Sequence, residues 1–242
     1  MKSRFITLAV LVIFACNLYS QSAIEEEGWH FGFRGGVGMS WMTGLNKAKS
    51  EGLPNVDYYI SSDFKAKPKF LWEIGFSFQY IKPKEYFIQI DYLAYTEGGA
   101  KLNGVGRKSN DDITALNMPS MQLKSYFGKK VALNSSGSTR FVVGGDPYLA
   151  YLFPGYGGSS DTHYYEVYDP DYDYWYEESY SVGGDKPDVN NIEIGANILA
   201  GIECKDTQFA LTFDYGITKP FKNSRLNSRN MSVRFIITTY IF

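Results

Sequence analysis

Two histidines, His30 and His163, are the sole imidazoles of the sequence, and a nucleophilic site of the usual kind would set one of them against a hydroxyl or thiol. Ser159, Ser160 and Asp161 lie just before His163 and supply the residue types of a Ser-His-Asp triad. A triad is an arrangement in space, however, and neighbours in sequence do not make one. Glu73 and Glu193 could share acid and base work only if they faced one water-filled space. Salt bridging is the plainer role for both. Asp169, Asp171 and Asp173 have the i, i+2, i+4 spacing of the first ligands of a calcium loop, but the required glycine and the downstream bidentate glutamate are not at their positions. Calcium therefore rests on an incomplete motif, and neither an enzyme nor a cofactor is expected.

These aspartates belong to the most unusual stretch of the chain, 161–180, with the sequence DTHYYEVYDPDYDYWYEESY. It gathers Tyr164, Tyr165, Tyr168, Tyr172, Tyr174, Trp175 and Tyr176 among seven acidic side chains. Tyr and Trp provide large contact areas at modest entropic cost, so one reading is a recognition surface for a partner protein or glycan. The other is structural: the two Tyr-rich arms pair as a hairpin that prolongs a sheet.

Composition narrows the class that could carry such a loop. Aromatic residues make up 17% of the 242 residues while hydrophobic residues stand at 44%, and the mean hydropathy is -0.25. A helical membrane protein would be far more apolar; a membrane β-barrel would not, because every second residue of each strand faces inward. The net charge of -2 offers no basic footprint for nucleic acid. Lys2 and Arg4 precede an apolar run from Phe5 to Ala15 and a small, polar stretch from Asn17 to Ser22, the layout of a secretory signal peptide. The run is shorter than the ~20 residues that a spanning helix needs. Cleavage after Ser20 gives a signal peptide over 1–20, a periplasmic segment over 21–28 and a single domain over 29–242. Cys16 offers a lipoprotein-type alternative, against which the bulky Phe14 argues. After cleavage at Ser20, Cys204 would have no intramolecular disulfide partner.

Beyond Trp29 the chain falls into eight stretches with period-two alternation. They run over Trp29–Thr43, Phe70–Ile81, Glu85–Thr96, Met118–Leu133, Arg140–Phe153, Asn191–Glu203, Thr207–Thr218 and Asn230–Phe242. The connections 44–69, 97–117, 154–190 and 219–229 are long, and they alternate with short ones at 82–84, 134–139 and 205–206. A β-sandwich has no reason to keep that order. An outer-membrane barrel does, with short periplasmic turns on one rim and long external loops on the other. The expected fold is thus an all-β, eight-stranded antiparallel up-and-down transmembrane barrel, whose first partner is the lipid bilayer of the outer membrane.

One side of the strands carries rows such as Trp72, Ile74, Phe76, Phe78 and Tyr80. The other side carries Arg34, Glu73, Asp91, Lys124, Glu193 and Asp214, nearly one charge per strand. On the lipid side a mid-membrane Arg or Lys would cost roughly 2–4 kcal/mol. These six are therefore expected to form a charge network in the lumen, filled with side chains rather than open as a pore. The last stretch fits less cleanly: turning Phe242 outward turns Arg234 outward too, which calls for a bulge between them or an Arg234 at the external rim.

In this setting the chain resembles the PorT-like outer-membrane β-barrel proteins. The resemblance rests on Phe31-Gly32-Phe33-Arg34-Gly35-Gly36, Ile88-Gln89-Ile90-Asp91-Tyr92-Leu93, the Met118-Pro119 pair, Gly145-Asp146-Pro147-Tyr148-Leu149 and the aromatic terminal strand with Tyr240 and Phe242. It covers nearly the whole chain after the signal peptide. The stretch Met118-Pro119-Ser120-Met121-Gln122-Leu123-Lys124 departs from the family's apolar-Pro-Leu-Leu-Leu-Lys run. The resemblance implies that the barrel-insertion machinery reads the terminal Phe242, and that a secretion or envelope complex could supply a protein partner. The expected role is that of a non-enzymatic interaction or structural barrel acting through its external loops. A small transport or ligand-binding barrel and an outer-membrane hydrolase are the alternatives.

Overall fold

A strand whose residues alternate between large apolar and polar side chains needs two different solvents, one for each side. The computed structural model of the protein supplies them by closing the strands into a wall. It describes residues 28–45, 59–82, 86–106, 115–153, 156–157, 162–169, 174–181, 189–222 and 227–241. Among the described residues the strands are β1 (Gly28–Thr43), β2 (Tyr59–Lys67), β3 (Lys69–Ile81), β4 (Tyr86–Gly106), β5 (Ala115–Ala132), β6 (Thr139–Leu152), β7 (Tyr156–Gly157), β8 (Thr162–Asp169), β9 (Tyr174–Ser181), β10 (Ile192–Cys204), β11 (Thr207–Gly216) and β12 (Arg229–Tyr240). Eight of them form a ring in the order β4-β3-β1-β12-β11-β10-β6-β5, and β5 pairs back onto β4 to close it. Every neighbour in the ring is antiparallel.

The side chains sort by parity. In β3, Phe70, Trp72, Ile74, Phe76 and Phe78 are exposed on the outer wall, whereas Leu71, Glu73, Ser77 and Gln79 are buried inside. In β10, Ile192, Ile194 and Ile198 face out, and Glu193, Asn197 and Leu199 face in. Aromatic rings cluster near both ends of the outer wall. Trp29 lies 5.1 Å from Tyr80 and Tyr86 stacks 6.1 Å from Phe127 toward the short-turn end. Trp72 lies 4.9 Å from Tyr95 and Tyr151 5.6 Å from Phe153 toward the other. Between them sits a phenylalanine cluster in which Phe31 is 5.0 Å from Phe78 and 5.9 Å from Phe76. From Trp72 to Tyr80 the strand climbs roughly 27 Å, or about 20 Å along the membrane normal at a tilt of about 40°, near the ~25 Å apolar band of such barrels.

The short connections are tight hairpins. Between β5 and β6, the Asn134 carbonyl accepts from the Gly137 N–H at 3.1 Å and its side-chain oxygen accepts from the Thr139 N–H at 3.2 Å. Gly137 has φ of 68°, in the region that favours glycine. Between β10 and β11 two residues suffice, with Lys205 at φ of 54°. These turns share one rim with the start of β1 and the end of β12, which the rule for outer-membrane barrels makes the periplasmic rim.

The structure departs from the sequence reading on the external side. The expected third and fourth strands, 85–96 and 118–133, are longer: β4 continues to Gly106 and β5 begins at Ala115, paired from Glu97↔Pro119 to Lys101↔Ala115. The first long connection contains β2, which adds to the far edge of β4. Extended arms that pair with one another satisfy their backbone groups without help from the bilayer, so nothing stops the ladder at the membrane surface. Where β4 leaves the barrel its register shifts against both neighbours between Leu93 and Thr96. Leu93 and Thr96 are both buried although three positions apart, so this bulge resets which residues face inward.

One further expectation is corrected. The last strand has neither a bulge nor a rim arginine: β12 keeps one register against β1 and one against β11, with Arg234, Ile236, Thr238 and Tyr240 all buried inside. The interior accepts Ile236 because it holds an apolar layer of its own, made with Phe87, Tyr126, Val142, Leu199 and Ala210. Tyr240 thus faces the lumen, while Phe242 lies outside the described residues. Cys204 is disulfide-bonded in the uncleaved chain; the expectation that it has no partner concerns the chain after cleavage at Ser20, and Cys16 lies outside the described residues.

The outward placement of Ile198, which is 61% exposed, has a direct test. Ile198→Arg should destabilise the barrel by roughly 2–4 kcal/mol in guanidinium titrations in phospholipid vesicles, and Ile198→Leu should change it little. Equal stability of the arginine variant would contradict a lipid-facing position.

Candidate functional site

Inward residues of a narrow barrel have nowhere to go but toward each other, and those of one sign are tolerated only beside the other. Six strands contribute to one connected chain of alternating charge. Asp91 of β4 accepts from Arg34 Nη1 of β1. Arg34 also donates from Nε and Nη2 to Glu73 Oε1 of β3, at 3.0 and 2.8 Å. The second oxygen of Glu73 accepts from Arg234 Nη1 of β12 at 2.6 Å, and Arg234 Nη2 lies 2.9 Å from Asp214 Oδ2 of β11. Asp214 in turn accepts from Lys124 Nζ of β5 at 2.9 and 3.0 Å and from the Ser232 hydroxyl at 2.9 Å. All six side chains are buried. The order is therefore minus, plus, minus, plus, minus, plus across the lumen.

Five of the six residues named as lumenal charges from sequence join this chain. The sixth does not. Glu193 is buried in the wall of β10, where it accepts from the Tyr148 hydroxyl at 2.7 Å and from Asn230 Nδ2. Gly195 makes room for that tyrosine: a Cβ there would stand 2.2 Å from the Tyr148 ring. The central member that sequence reasoning missed is Arg234, which bridges the two halves of the chain. Counting parity back from Phe242 turned it outward, although the row Val233, Phe235 and Ile237 already assigned it to the inside.

A second polar cluster occupies the periplasmic end. Lys130 Nζ donates to Glu203 Oε1 at 2.6 Å and to Gln79 Oε1 at 2.8 Å, and Arg140 lies 3.6 Å from Glu203. Gln79 donates to Gln89 at 3.0 Å, and Gln89 donates to Asp91 at 3.0 Å, which ties this cluster to the ionic chain beside the apolar layer. The sequence held the signal for it, since Lys130 shares parity with Gln122 and Lys124, and Glu203 with Glu193. Among the described residues, cavities lie toward both ends of the lumen. The external one, about 30 Å³, is bordered by Glu193, Tyr148, Asn230 and Arg234. The periplasmic one, about 50 Å³, is bordered by His30, Lys130, Arg140 and Glu203. They share no lining residue.

The remaining sequence candidates fall as follows. His30 packs edge-on to Tyr240, with ring centroids 6.4 Å apart, at the periplasmic end. His163 belongs to β8, beyond the external end of β6. Ser159, Ser160 and Asp161 lie outside the described residues, as do Tyr172, Asp171 and Asp173. Tyr164, Tyr165, Tyr168 and Asp169 stand on β8 and Tyr174, Trp175 and Tyr176 on β9, two strands that pair as a separate antiparallel ribbon. The two arms thus pair as the structural reading expected, but as a sheet of their own rather than as a prolongation of the barrel sheet. Among the described residues no group of three or more His, Cys, Asp or Glu is placed to hold a metal.

A closed antiparallel ring, apolar outside between two aromatic belts and ionic within, is the construction of an integral outer-membrane barrel. No family model and no curated protein matches the chain. Among solved structures the chain is similar to the outer membrane protein OprG from Pseudomonas aeruginosa, at 9% identity over 89% of this chain and 95% of that one, with a TM-score of 0.41. It is similar also to Ail, the attachment invasion locus protein of Yersinia pestis, at 9% identity over 89% and 100% with a TM-score of 0.37. The translocator domain of the autotransporter NalP from Neisseria meningitidis follows at 12% identity over 98% and 97%, with a TM-score of 0.31. At these scores the fold rests on the strand pairing of the protein itself, and no role carries over from the three.

The bridging position of Arg234 sets the order of two substitutions. Arg234→Met leaves one oxygen of Glu73 without a partner and takes from Asp214 one of its two cations, severing two buried pairs at once, and should cost about 3–5 kcal/mol in unfolding titrations. Lys124→Met removes only the end of the chain, leaving Asp214 with Arg234 and Ser232, and should cost less. The reverse order would show that the chain is not connected through Arg234.

Proposed function

We propose that the protein is a non-enzymatic interaction or structural component of the outer membrane that works through the strands it raises above the bilayer. The observation that carries this reading is the external continuation of the sheet: β4 and β5 run on past the barrel, β2 and β7 add to their edges, and β8 and β9 pair as an independent ribbon. The sequence of this ribbon is rich in Tyr, Trp and acidic residues, types suited to recognition surfaces. The resemblance to PorT-like barrels supports a partner within a secretion or envelope complex. A transport role would ask for a continuous path, whereas the ionic chain crosses the lumen between the two cavities.

Two measurements test the reading together. The reconstituted protein should give no single-channel steps in planar bilayers. A partner crosslinked on intact cells and purified in mild detergent should be retained by the full chain and lost when residues 162–181 are deleted, with heat-dependent gel migration showing that the barrel still folds. Recovery of the same partner from the deletion variant, or of the protein alone from both, would count against it.

A further inference from the structure

Two buried carboxylates stand outside the alternating chain, and whereas Glu203 has Lys130 and Arg140, Glu193 has no such partner among the described residues. The three cations of that chain are committed elsewhere: Arg34 to Glu73 and Asp91, Arg234 to Glu73 and Asp214, and Lys124 to Asp214. Among the described residues, Glu193 has only the neutral donors Tyr148 and Asn230. A carboxylate that is 2% exposed and lacks a counter-charge is expensive, and hydrogen bonds from neutral groups offset that cost only in part. Glu193 borders the external cavity, and two unmet acceptors belong to the same lining. Thr96, 1% exposed, lines the same cavity, and among the described residues its hydroxyl has no hydrogen-bond partner, nor has the side-chain oxygen of Asn230, also in the lining.

We propose that this external vestibule binds a primary ammonium group that enters from the outer side and pairs with Glu193. An ammonium has one positive charge and three N–H donors. The cavity offers Glu193, whose hydrogen-bond donors are both neutral, and two further oxygens, Thr96 Oγ1 and Asn230 Oδ1, beside the mutually paired Arg234 and Asp214. Its volume of about 30 Å³ admits one or two groups of water size, which suits an ammonium head and excludes a quaternary amine. A divalent metal asks for six or more oxygens, several of them carboxylates. The ammonium could be carried by a small amine or by the lysine side chain of a partner, and the recognition chemistry is the same. The proposal is independent of the role of the external strands, because it is read on the barrel alone.

Isothermal titration of the detergent-folded protein tests it, with methylammonium and Nα-acetyl-lysine amide as probes and tetramethylammonium and potassium chloride as controls. Saturable one-to-one binding of methylammonium is expected, weakened at least about tenfold by Glu193→Gln. Thr96→Val should weaken it by a smaller factor. Tyr148→Phe, which keeps the carboxylate, should retain binding. Binding of both probes would mean that the head group alone is recognised; binding of the lysine amide alone would assign the site to a partner's side chain. No binding of either probe, equal affinity in Glu193→Gln, or equal binding of tetramethylammonium or potassium would overturn the proposal. Should Glu193→Gln fail to fold by heat-dependent migration, an unchanged affinity in Thr96→Val would overturn it as well.

Discussion

In hydrocarbon a backbone N–H or C=O without a partner costs several kcal/mol, and the rest of this structure follows from meeting that demand. The β4–β5 pairing, from Tyr86↔Lys129 upward, turns an eight-stranded sheet with two edges into a ring with none. Closure then fixes everything else about the side chains. One parity must suit lipid, and the other must fill an enclosed space too narrow to remain empty. The wall therefore presents Ile, Leu, Val and Phe between aromatic belts, and the lumen collects the charges that the wall refuses.

The interior solves its own problem in layers. Charges buried away from water gain little unless each meets an opposite, hydrogen-bonded partner. Asp91, Arg34, Glu73, Arg234, Asp214 and Lys124 meet that condition by alternating, and below them Phe87, Tyr126 and Ile236 pack as an ordinary apolar core. The same geometry explains why Glu193 stands apart: its strand neighbours present Tyr148 across a glycine rather than a cation. Among the described residues, the external and periplasmic cavities lie on opposite sides of these layers and share no lining residue.

Much of this was legible in the sequence because the signal was a strict period of two. The eight barrel strands, the alternation of long and short connections and the inward side of Arg34, Glu73, Asp91, Lys124, Glu193 and Asp214 all came from parity alone. Parity fails where a bulge resets it, as between Leu93 and Thr96, and where it is counted from the wrong end, as at Arg234. It also says nothing of where a ladder stops. The prolongation of β4 and the addition of β2 depend on partners distant in the chain, and such pairing leaves little trace in local composition. Nor can parity say which inward charges touch, so Glu193 looked equivalent to the other five.

The distribution of the alternating chain along the polypeptide bears on how the barrel is closed. Its amino-terminal members, Arg34, Glu73 and Asp91, sum to one negative charge, and its carboxy-terminal members, Lys124, Asp214 and Arg234, sum to one positive charge. Each half is thus incomplete by one unit, and the Glu73–Arg234 contact, 2.6 Å long, supplies the difference. Arg234 sits on the last strand, beside the first strand at the β1–β12 seam. The seam at which the two ends of the barrel meet is therefore bridged twice, by the β1–β12 backbone ladder and by an ion pair inside the lumen.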